Sequence, residues 1–412
     1  MSSRALKPRL RLAILAGVVG PGLLAGLSDD DPAGITTYSV LGAEHGYQML
    51  WVLVLSVVAL MLFHDLSARV GVITGQGLAG LVREVYGVRR ASAAVVALVV
   101  ANIGTTCAEF AGIAAGFELF GVPRYVSVPL SAAGVSYLVL RGSFHRVERA
   151  LLALSAVFVT YVLAGVLAKP DWGAALHGAV VPSLPPGRNA LVLVTATIGT
   201  TLAPWGLSFI QSYVADKKLT IAHLRDERID VIVGSALTGV IGAFVVIAAA
   251  ATLHRDGKHI NDAADAAAAL KPLAGPLAAT LFAVGLIGAA LLAASILPLS
   301  TAYSVSEFLG RESALDDSLR QAPVFYGTYA VVVVVGAGFI LVPGAPLVAI
   351  LVLSQVLNAV LLLPLLAFMY GIARNRNLMG EHTVSRRGGS PYLVTIAFIA
   401  VCVVGLGVLT VA

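Results

Sequence analysis

The sequence predicts an all-α, multi-pass membrane protein of eleven helices, built as two inverted five-helix halves plus one further helix, with the first and sixth helices broken. Three observations predict it. Apolar residues far outnumber charged ones, basic residues alternate between successive apolar runs, and two apolar runs five apart are interrupted by proline and glycine.

Of the 412 residues, 58% are hydrophobic and 12% are charged, against about 25% charged in soluble domains. A soluble interior cannot cover so much apolar sequence, whereas a membrane helix needs about 20 mostly apolar residues. The basic start (Arg4, Lys7, Arg9 and Arg11) ahead of an apolar stretch has the look of a secretory signal. Further spans follow it rather than a soluble domain, so it reads as an uncleaved first helix. Cys107 and Cys402 lie in separate apolar runs and suggest neither a disulfide framework nor a thiolate metal site. The net charge of +5 reads as basic loops on a membrane protein, not as a nucleic-acid surface.

The runs fall at about 11–45 (interrupted), 47–68, 91–119, 123–140, 147–168, 189–214 (interrupted), 229–253, 274–303, 323–342, 346–372 and 391–411. With the N-terminus inside, 21 of the 27 Lys and Arg fall on the cytoplasmic side, and only Arg124, Lys169, Arg188, Arg255, Lys258 and Lys271 fall outside. That bias is the positive-inside pattern. It places the chain in the inner membrane with its C-terminus outside. A wrong count of spans would scramble the alternation, so count and orientation support each other. The segments 170–188 and 254–272 read as extracellular, the first a Pro/Gly-rich loop, the second carrying a short helix.

The first interruption is Ser28-Asp29-Asp30-Asp31-Pro32-Ala33-Gly34. Carboxylates at membrane depth are costly and by default mark function. Proline removes a backbone donor and frees carbonyls, and irregular backbone is tolerated there only where it lines a cavity. The alternative, an extracellular loop between two short spans, leaves halves too short to cross and spoils the charge alternation. The second interruption is Gly199-Thr200-Thr201-Leu202-Ala203-Pro204-Trp205-Gly206. Alone it could be an ordinary proline kink. Paired with the first at a distance of five spans, it marks an inverted repeat whose binding site lies where the breaks meet. The halves are residues 1–169 and 188–372, with 391–411 as the eleventh helix.

The residues at these places resemble the Nramp family of divalent-metal transporters. Its first-span pattern is similar to Gly20-Pro21-Gly22 followed by Asp31-Pro32-Ala33-Gly34. The end of its second span resembles Ala68-Arg69-Val70-Gly71-Val72-Ile73-Thr74-Gly75, with Leu78-Ala79 and Arg83 following. Its third-span pair resembles Ala108-Glu109, and its tenth span Leu353-Ser354-Gln355-Val356, running on to Asn377-Leu378-Met379-Gly380. These matches lie in order along most of the chain. The resemblance implies a LeuT-like fold and a transported divalent cation, with no resident cofactor and no enzymatic activity. Three departures stand out. Gly34 falls where the family has Asn, Ala203-Pro204-Trp205 where it has Met-Pro-His, and Thr106 where it has an acid three before the third-span Glu. They resemble the Nramp-related magnesium transporters, which lack the methionine.

On this reading Asp31 supplies a hard anionic oxygen, and carbonyls near Asp31 and near Thr200 or Thr201 supply neutral ones. Gln355 supplies an amide oxygen, while Gly34 and Ala203 supply carbonyls or simply room. Carboxylate, carbonyl and water suit Mg²⁺, Ca²⁺ and Mn²⁺, whereas soft ligands select transition metals. Mg²⁺ keeps several waters and is usually held by one or two carboxylates. Transport of partly hydrated Mg²⁺, with Mn²⁺ accepted, is therefore expected. Around this shell, Asp29 and Asp30 read either as an acidic mouth or as groups solvated in an outer vestibule. Trp205 narrows the cavity or is a packed aromatic. Glu109 is a group behind the ligands, a proton carrier or a helix–helix hydrogen bond. Thr106 lies along the pathway. His64, Asp65 and Glu307 fall near the cytoplasmic ends of their runs and read mostly as interfacial, the alternative being that they line the inner exit.

A proton relay needs titratable groups through the membrane. Asp31, Glu109 and Glu118 are the core candidates, and all eight histidines fall at span ends or in loops. Since histidine titrates best near neutrality, its absence from mid-span predicts an uncoupled pathway. The inside-negative potential would drive it, worth about 2.3 kcal/mol per charge per 100 mV. One rival is a proton-coupled Mn²⁺/Fe²⁺ importer, recognised by acidification accompanying metal flux. Another is an ion-coupled symporter of amino acids or other organic solutes, whose substrate carboxylate the three aspartates would repel. A channel or membrane enzyme lacks support: no nucleophile–base pair or ligand cluster is present, and Gly75-Gln76-Gly77 is no dinucleotide fingerprint. The expected partners are the cation and the lipid bilayer, with no nucleic acid, and nothing in the sequence requires more than a monomer.

Overall fold

The computed structural model describes residues 21–141, 159–260, 265–266, 278–311 and 318–411. Gly20, the first part of the expected fifth span and much of the 254–272 segment lie outside these residues. The described residues are helical throughout their regular structure, with no strand among them.

The first expected span is two helices, α1 (Pro21–Ser28) and α2 (Pro32–His45). Pro32 opens α2 because its missing N–H falls where a helix has no partner for one. Asp31 is the cap, its side chain accepting from the Gly34 amide. The second span is α3 (Leu50–Thr74), closed by Gly75 in the left-handed region at φ 64, where glycine carries no steric cost. A short helix, α4 (Leu78–Tyr86), follows it and was not expected from the apolar runs. Then come α5 (Val88–Glu118), α6 (Arg124–Arg141) and the described part of the fifth span, α7 (Val159–Leu167). The 170–188 segment is not wholly a loop, since it holds α8 (Trp172–Val180), capped by Asp171 accepting from the Ala174 amide at 3.0 Å.

The sixth span is also two helices, α9 (Arg188–Thr201) and α10 (Pro204–Asp216), with Pro204 again opening the second. The remaining spans are α11 (Leu224–Ala249), which runs into a π-turn over Ala250–His254, α12 (Ala278–Leu309), α13 (Pro323–Ile340) and α14 (Leu347–Ala373). A single turn, α15 (Arg376–Met379), leads to α16 (Ser390–Val411). Among the described residues, eight helical stretches are long and apolar enough to cross a membrane. The outward faces are apolar too: on α16, Val394 is 68% and Val401 71% exposed, as expected for side chains that face lipid rather than water.

The broken helices lie at the centre. α1 and α2 pack against α11, α9 against α14, and α10 against α3, while α2 meets α9 and α1 meets α10. Small residues allow these approaches. A Cβ on Gly26 would stand 2.5 Å from the Gly234 backbone, and the Thr238 hydroxyl donates to the Gly26 carbonyl across the same contact. At Gly199 a Cβ would fall 1.9 Å from the Gln355 carbonyl oxygen, so α9 and α14 touch backbone to backbone. Gly199→Ala must push them apart, at a cost of about 1–3 kcal/mol for overpacking. The expected result is a lower thermal midpoint of the purified protein, read by intrinsic fluorescence. An unchanged midpoint would mean the helices part freely.

The end of α2 is tied outside the membrane. His259 Nδ1 lies 2.6 Å from Glu44 Oε1, and this hydrogen bond raises the pKa of the imidazole above its ordinary 6.5. The imidazole therefore keeps its positive charge to a higher pH than a free histidine and loses it as pH rises through the raised value.

Candidate functional site

The chain breaks at Asp29–Asp31 and at Leu202–Ala203, and the two breaks face each other. At each, one helix ends and another begins. The C-terminal ends of α1 and α9 present unpaired carbonyls with partial negative charge, and the N-terminal ends of α2 and α10 present amides. Asp31 answers one set of amides, with Oδ1 2.5 Å from the Gly34 nitrogen. The carboxylate of Glu109 on α5 lies within hydrogen-bonding range of that of Asp31. The approach of α5 is fixed at Gly112, where a Cβ would meet the Pro32 ring at 2.3 Å.

Gly34 brings three oxygens together. A Cβ there would stand 2.7 Å from the Asp29 carbonyl, 3.0 Å from Thr200 Oγ1 and 3.3 Å from Asp31 Oδ1. The glycine therefore does not open a void. It lets α2 come so close to α9 that a hydroxyl, a carbonyl and a carboxylate oxygen share one small region. Tyr38 holds the same two helices in register, its hydroxyl 2.9 Å from Thr201 Oγ1.

Asp29 and Asp30 are not in a solvated vestibule. They are 1% and 0% exposed, and neither carboxylate has a hydrogen-bond partner. The Thr200 hydroxyl is likewise buried without a partner. The outer-mouth alternative fails because the break sits in the middle of the packed bundle, enclosed by α5, α9, α10 and α11. Even so, among the described residues no three His, Cys, Asp or Glu side chains converge at ligand distances. Any cation held here must draw on carbonyl, hydroxyl or water oxygens as well as on carboxylate.

The remaining expected residues divide. Gln355 is 1% exposed and its Oε1 accepts from Asn358 Nδ2 at 2.9 Å, in a chain that runs on to Thr105 Oγ1. It sits behind Gly199, next to Thr200, with its amide already engaged. Ala203 caps α10 in extended backbone and is 2% exposed. Trp205 is 1% exposed, with its ring 6.4 Å from that of Phe209 and its carbonyl accepting from Ser300 at 2.9 Å, which is the packed-aromatic arrangement. Thr106 is not brought to Asp31. It donates to the Asn102 carbonyl at 2.7 Å and packs against Gly336 of α13, because its position on α5 points away from the breaks. Glu118 is not a core group: it ends α5 in an ion pair with Arg124 at 2.8 Å.

His64 is not interfacial but buried within α3. It is 0% exposed, neither ring nitrogen has a partner, and a Cβ on Gly206 would stand 3.1 Å from its Nε2 and 3.8 Å from Asp29 Oδ1. An imidazole thus lies beside the break after all. The expectation that every histidine lies at a span end fails because α3 runs on to Thr74, six residues past the expected end, which moves His64 inward. Its neighbour Asp65 does sit at an interface, accepting from Arg228 Nε at 2.6 Å.

Two centrally broken helices crossing among buried carboxylates, inside a bundle of apolar spans, define a membrane transporter rather than an enzyme. The fold is LeuT-like: the chain is similar to MhsT, crystallised in complex with L-phenylalanine, at a TM-score of 0.59 and 13% identity over 95% of this chain and 97% of that one. It is more similar in structure to the manganese transporter of Eremococcus coleocola, at a TM-score of 0.78 and 18% identity over 98% of this chain and 88% of that one. In sequence it is 30% identical to the divalent metal cation transporter MntH of Burkholderia ambifaria, over 95% of this chain and 91% of that protein. The profile of the Natural resistance-associated macrophage protein-like family (Nramp) matches residues 22–411, and the chain belongs to that family.

Proposed function

We propose that this protein carries divalent metal cations across the membrane through the crossing of α1–α2 with α9–α10, with Asp31 as the anionic ligand. One observation carries the reading. Asp29 and Asp30 hold buried carboxylate oxygens with no hydrogen-bond partner among the described residues, beside the capped carboxylate of Asp31 and that of Glu109. Buried anions are paired or coordinate metals, and among the described residues no Lys or Arg forms an ion pair with them. The relative from Burkholderia ambifaria, a divalent metal cation transporter, supports the same reading. An organic solute with a carboxylate would meet these anions at close range, which argues against it.

Among divalent ions, Mg²⁺ fits the donors best and Mn²⁺ is accepted. Thr200 and Asp31 with the Asp29 carbonyl are hard oxygens, and Ala203 brings no thioether to the second break. Gln355 and Gly34 contribute through amide and backbone oxygens at the edge of this shell, and Asp30, Trp205 and Glu109 shape the space around it. Residues 1–169 and 188–372 act as the two inverted halves, with 391–411 appended. The N-terminus lies inside, in keeping with the count of basic residues. Without coupling, the membrane potential favours entry of a divalent ion by about 4.6 kcal/mol per 100 mV.

His64 favours a second reading, proton-coupled Mn²⁺ import, because it places an imidazole beside Asp29. The two readings differ in one measurement. Protein in liposomes that trap both a metal-sensitive and a pH-sensitive dye is challenged with Mg²⁺ and then Mn²⁺. Mg²⁺ entry without acidification is the expected result. Exclusion of Mg²⁺ with Mn²⁺ and protons entering together would overturn both the preference and the uncoupled mechanism.

A further inference from the structure

From the second break, a column of polar groups runs down the facing sides of α10 and α12. Trp205, Ser208 and Ser212 lie on one face of α10 at intervals of three and four residues, and Ser300, Ser304 and Glu307 lie on one face of α12 at four and three. The rungs meet. Ser300 Oγ donates to the Trp205 carbonyl at 2.9 Å, and Ser208 Oγ lies 2.6 Å from Ser304 Oγ. Ser212 stands beside Glu307, and Tyr303 donates to Asp216 Oδ2 at 2.7 Å. Ser208, Ser300 and Ser304 are all 0% exposed. Serines could serve only to hold two membrane helices together, but this column does not stop in packed lipid-like surroundings.

It ends in a cavity of about 400 Å³ lined by Gly77, Ser212, Asp216, Tyr303, Glu307 and, at the exposed rim, Lys218. Six waters at about 30 Å³ each fit such a volume, which is room for a divalent ion with its hydration shell. Glu307 is placed with care. A Cβ on Gly77 would collide with its carboxylate at 1.8 Å, and the amides of Ala79 and Gly80 at the start of α4 face it. Its Oε2 nonetheless has no partner. Ser212 is 2% exposed and lines the cavity, its hydroxyl beside the Glu307 carboxylate. A carboxylate and a buried hydroxyl thus line a space whose wall holds a second carboxylate, that of Asp216.

We infer that Glu307, Ser212 and Asp216 form a second divalent-cation site, on the side to which the basic loops assign the cytoplasm, joined to the central break by the hydroxyl column. This inference rests on the cation-transport reading of the central site. The exit site takes a hydrated ion through hard oxygens, and Lys218 at its rim keeps occupancy weak enough for release.

The test is binding stoichiometry. Purified full-length protein in detergent is titrated with Mn²⁺, and the free ion is read from its electron paramagnetic resonance signal. The parent is expected to bind two ions, Glu307→Gln one, and Asp31→Ala one, retained at the exit. Ser212→Ala leaves the start of α4 untouched and is expected to weaken the exit site about 3- to 10-fold, the loss of one oxygen contact. If Glu307→Gln aggregates, Ser212→Ala decides. A parent with one ion, lost in Asp31→Ala and unaffected by either exit variant, overturns the exit site and leaves the central reading standing. A parent that binds no Mn²⁺ overturns both.

Discussion

Asp31→Ala is expected to lower the initial rate of Mg²⁺ or Mn²⁺ entry into liposomes at least about 100-fold, a loss of about 2.7 kcal/mol. The change removes the one carboxylate that both caps α2 and faces the oxygens gathered around Gly34. Its effect on folding is smaller: losing a cap costs about 1 kcal/mol. Asp31→Asn separates the two roles. An amide oxygen can still accept from the Gly34 amide, whose distance to Asp31 Oδ1 is 2.5 Å, so the break keeps its geometry while the negative charge is gone. Asp31→Asn should therefore fold as the parent does, with a similar thermal midpoint, and still fail to carry metal. Parent-like flux through Asp31→Asn would reduce Asp31 to a helix cap and move the cation to Asp29 or Asp30. Those two cannot compensate silently. Both are buried without partners, and if they alone held the ion, Asp31→Ala would leave most of the flux.

Much of this architecture is legible in the sequence because lipid imposes it. Spans must be long and apolar, loops must be charged asymmetrically, and broken backbone must be enclosed. Those rules locate both interruptions to within a residue or two, with Pro32 and Pro204 opening the second halves. The place of Asp31 and Thr200 follows from the same breaks. What the sequence conceals is how far each helix continues past its apolar run. α3 and α12 both extend six residues beyond the expected ends, to Thr74 and Leu309. That extension carries His64 into the core and keeps Glu307 on a helix facing α10. Polar residues near a span end look interfacial in one dimension, whereas a neighbouring helix can bury them in three. The rotation of α5 is equally hidden. Glu109 and Thr106 are three residues apart, yet one faces Asp31 and the other faces Gly336, since α5 is buried on every side from Thr105 to Gly116 and its apolar residues there give no face to read.

The choice between a hard hydrated ion and a transition metal turns on Ala203, and Ala203→Met tests it. Ala203 is 2% exposed and caps α10 in extended backbone at φ −78, ψ 143. It thus stands in the second break with no donor beyond its own carbonyl. A methionine there adds a flexible thioether that can adapt to an irregular gap. Sulfur favours softer ions and offers little to Mg²⁺, and its bulk displaces water that Mg²⁺ is reluctant to shed. Both effects act in the same direction. The ratio of Mn²⁺ to Mg²⁺ flux should rise about tenfold, equivalent to about 1.4 kcal/mol, chiefly through lost Mg²⁺ entry. Overpacking could mimic part of this, since added methylenes in a filled core cost about 1–3 kcal/mol. Ala203→Leu supplies the control, with similar bulk and no sulfur: it should depress entry of both ions and leave their ratio near that of the parent. If Ala203→Leu shifts the ratio as far as Ala203→Met, volume alone sets selectivity and softness has no part in it. If Ala203→Met leaves Mg²⁺ entry intact, the ion does not pass close to the second break, and the ligands of Mg²⁺ lie wholly on the side of Asp31 and Glu109.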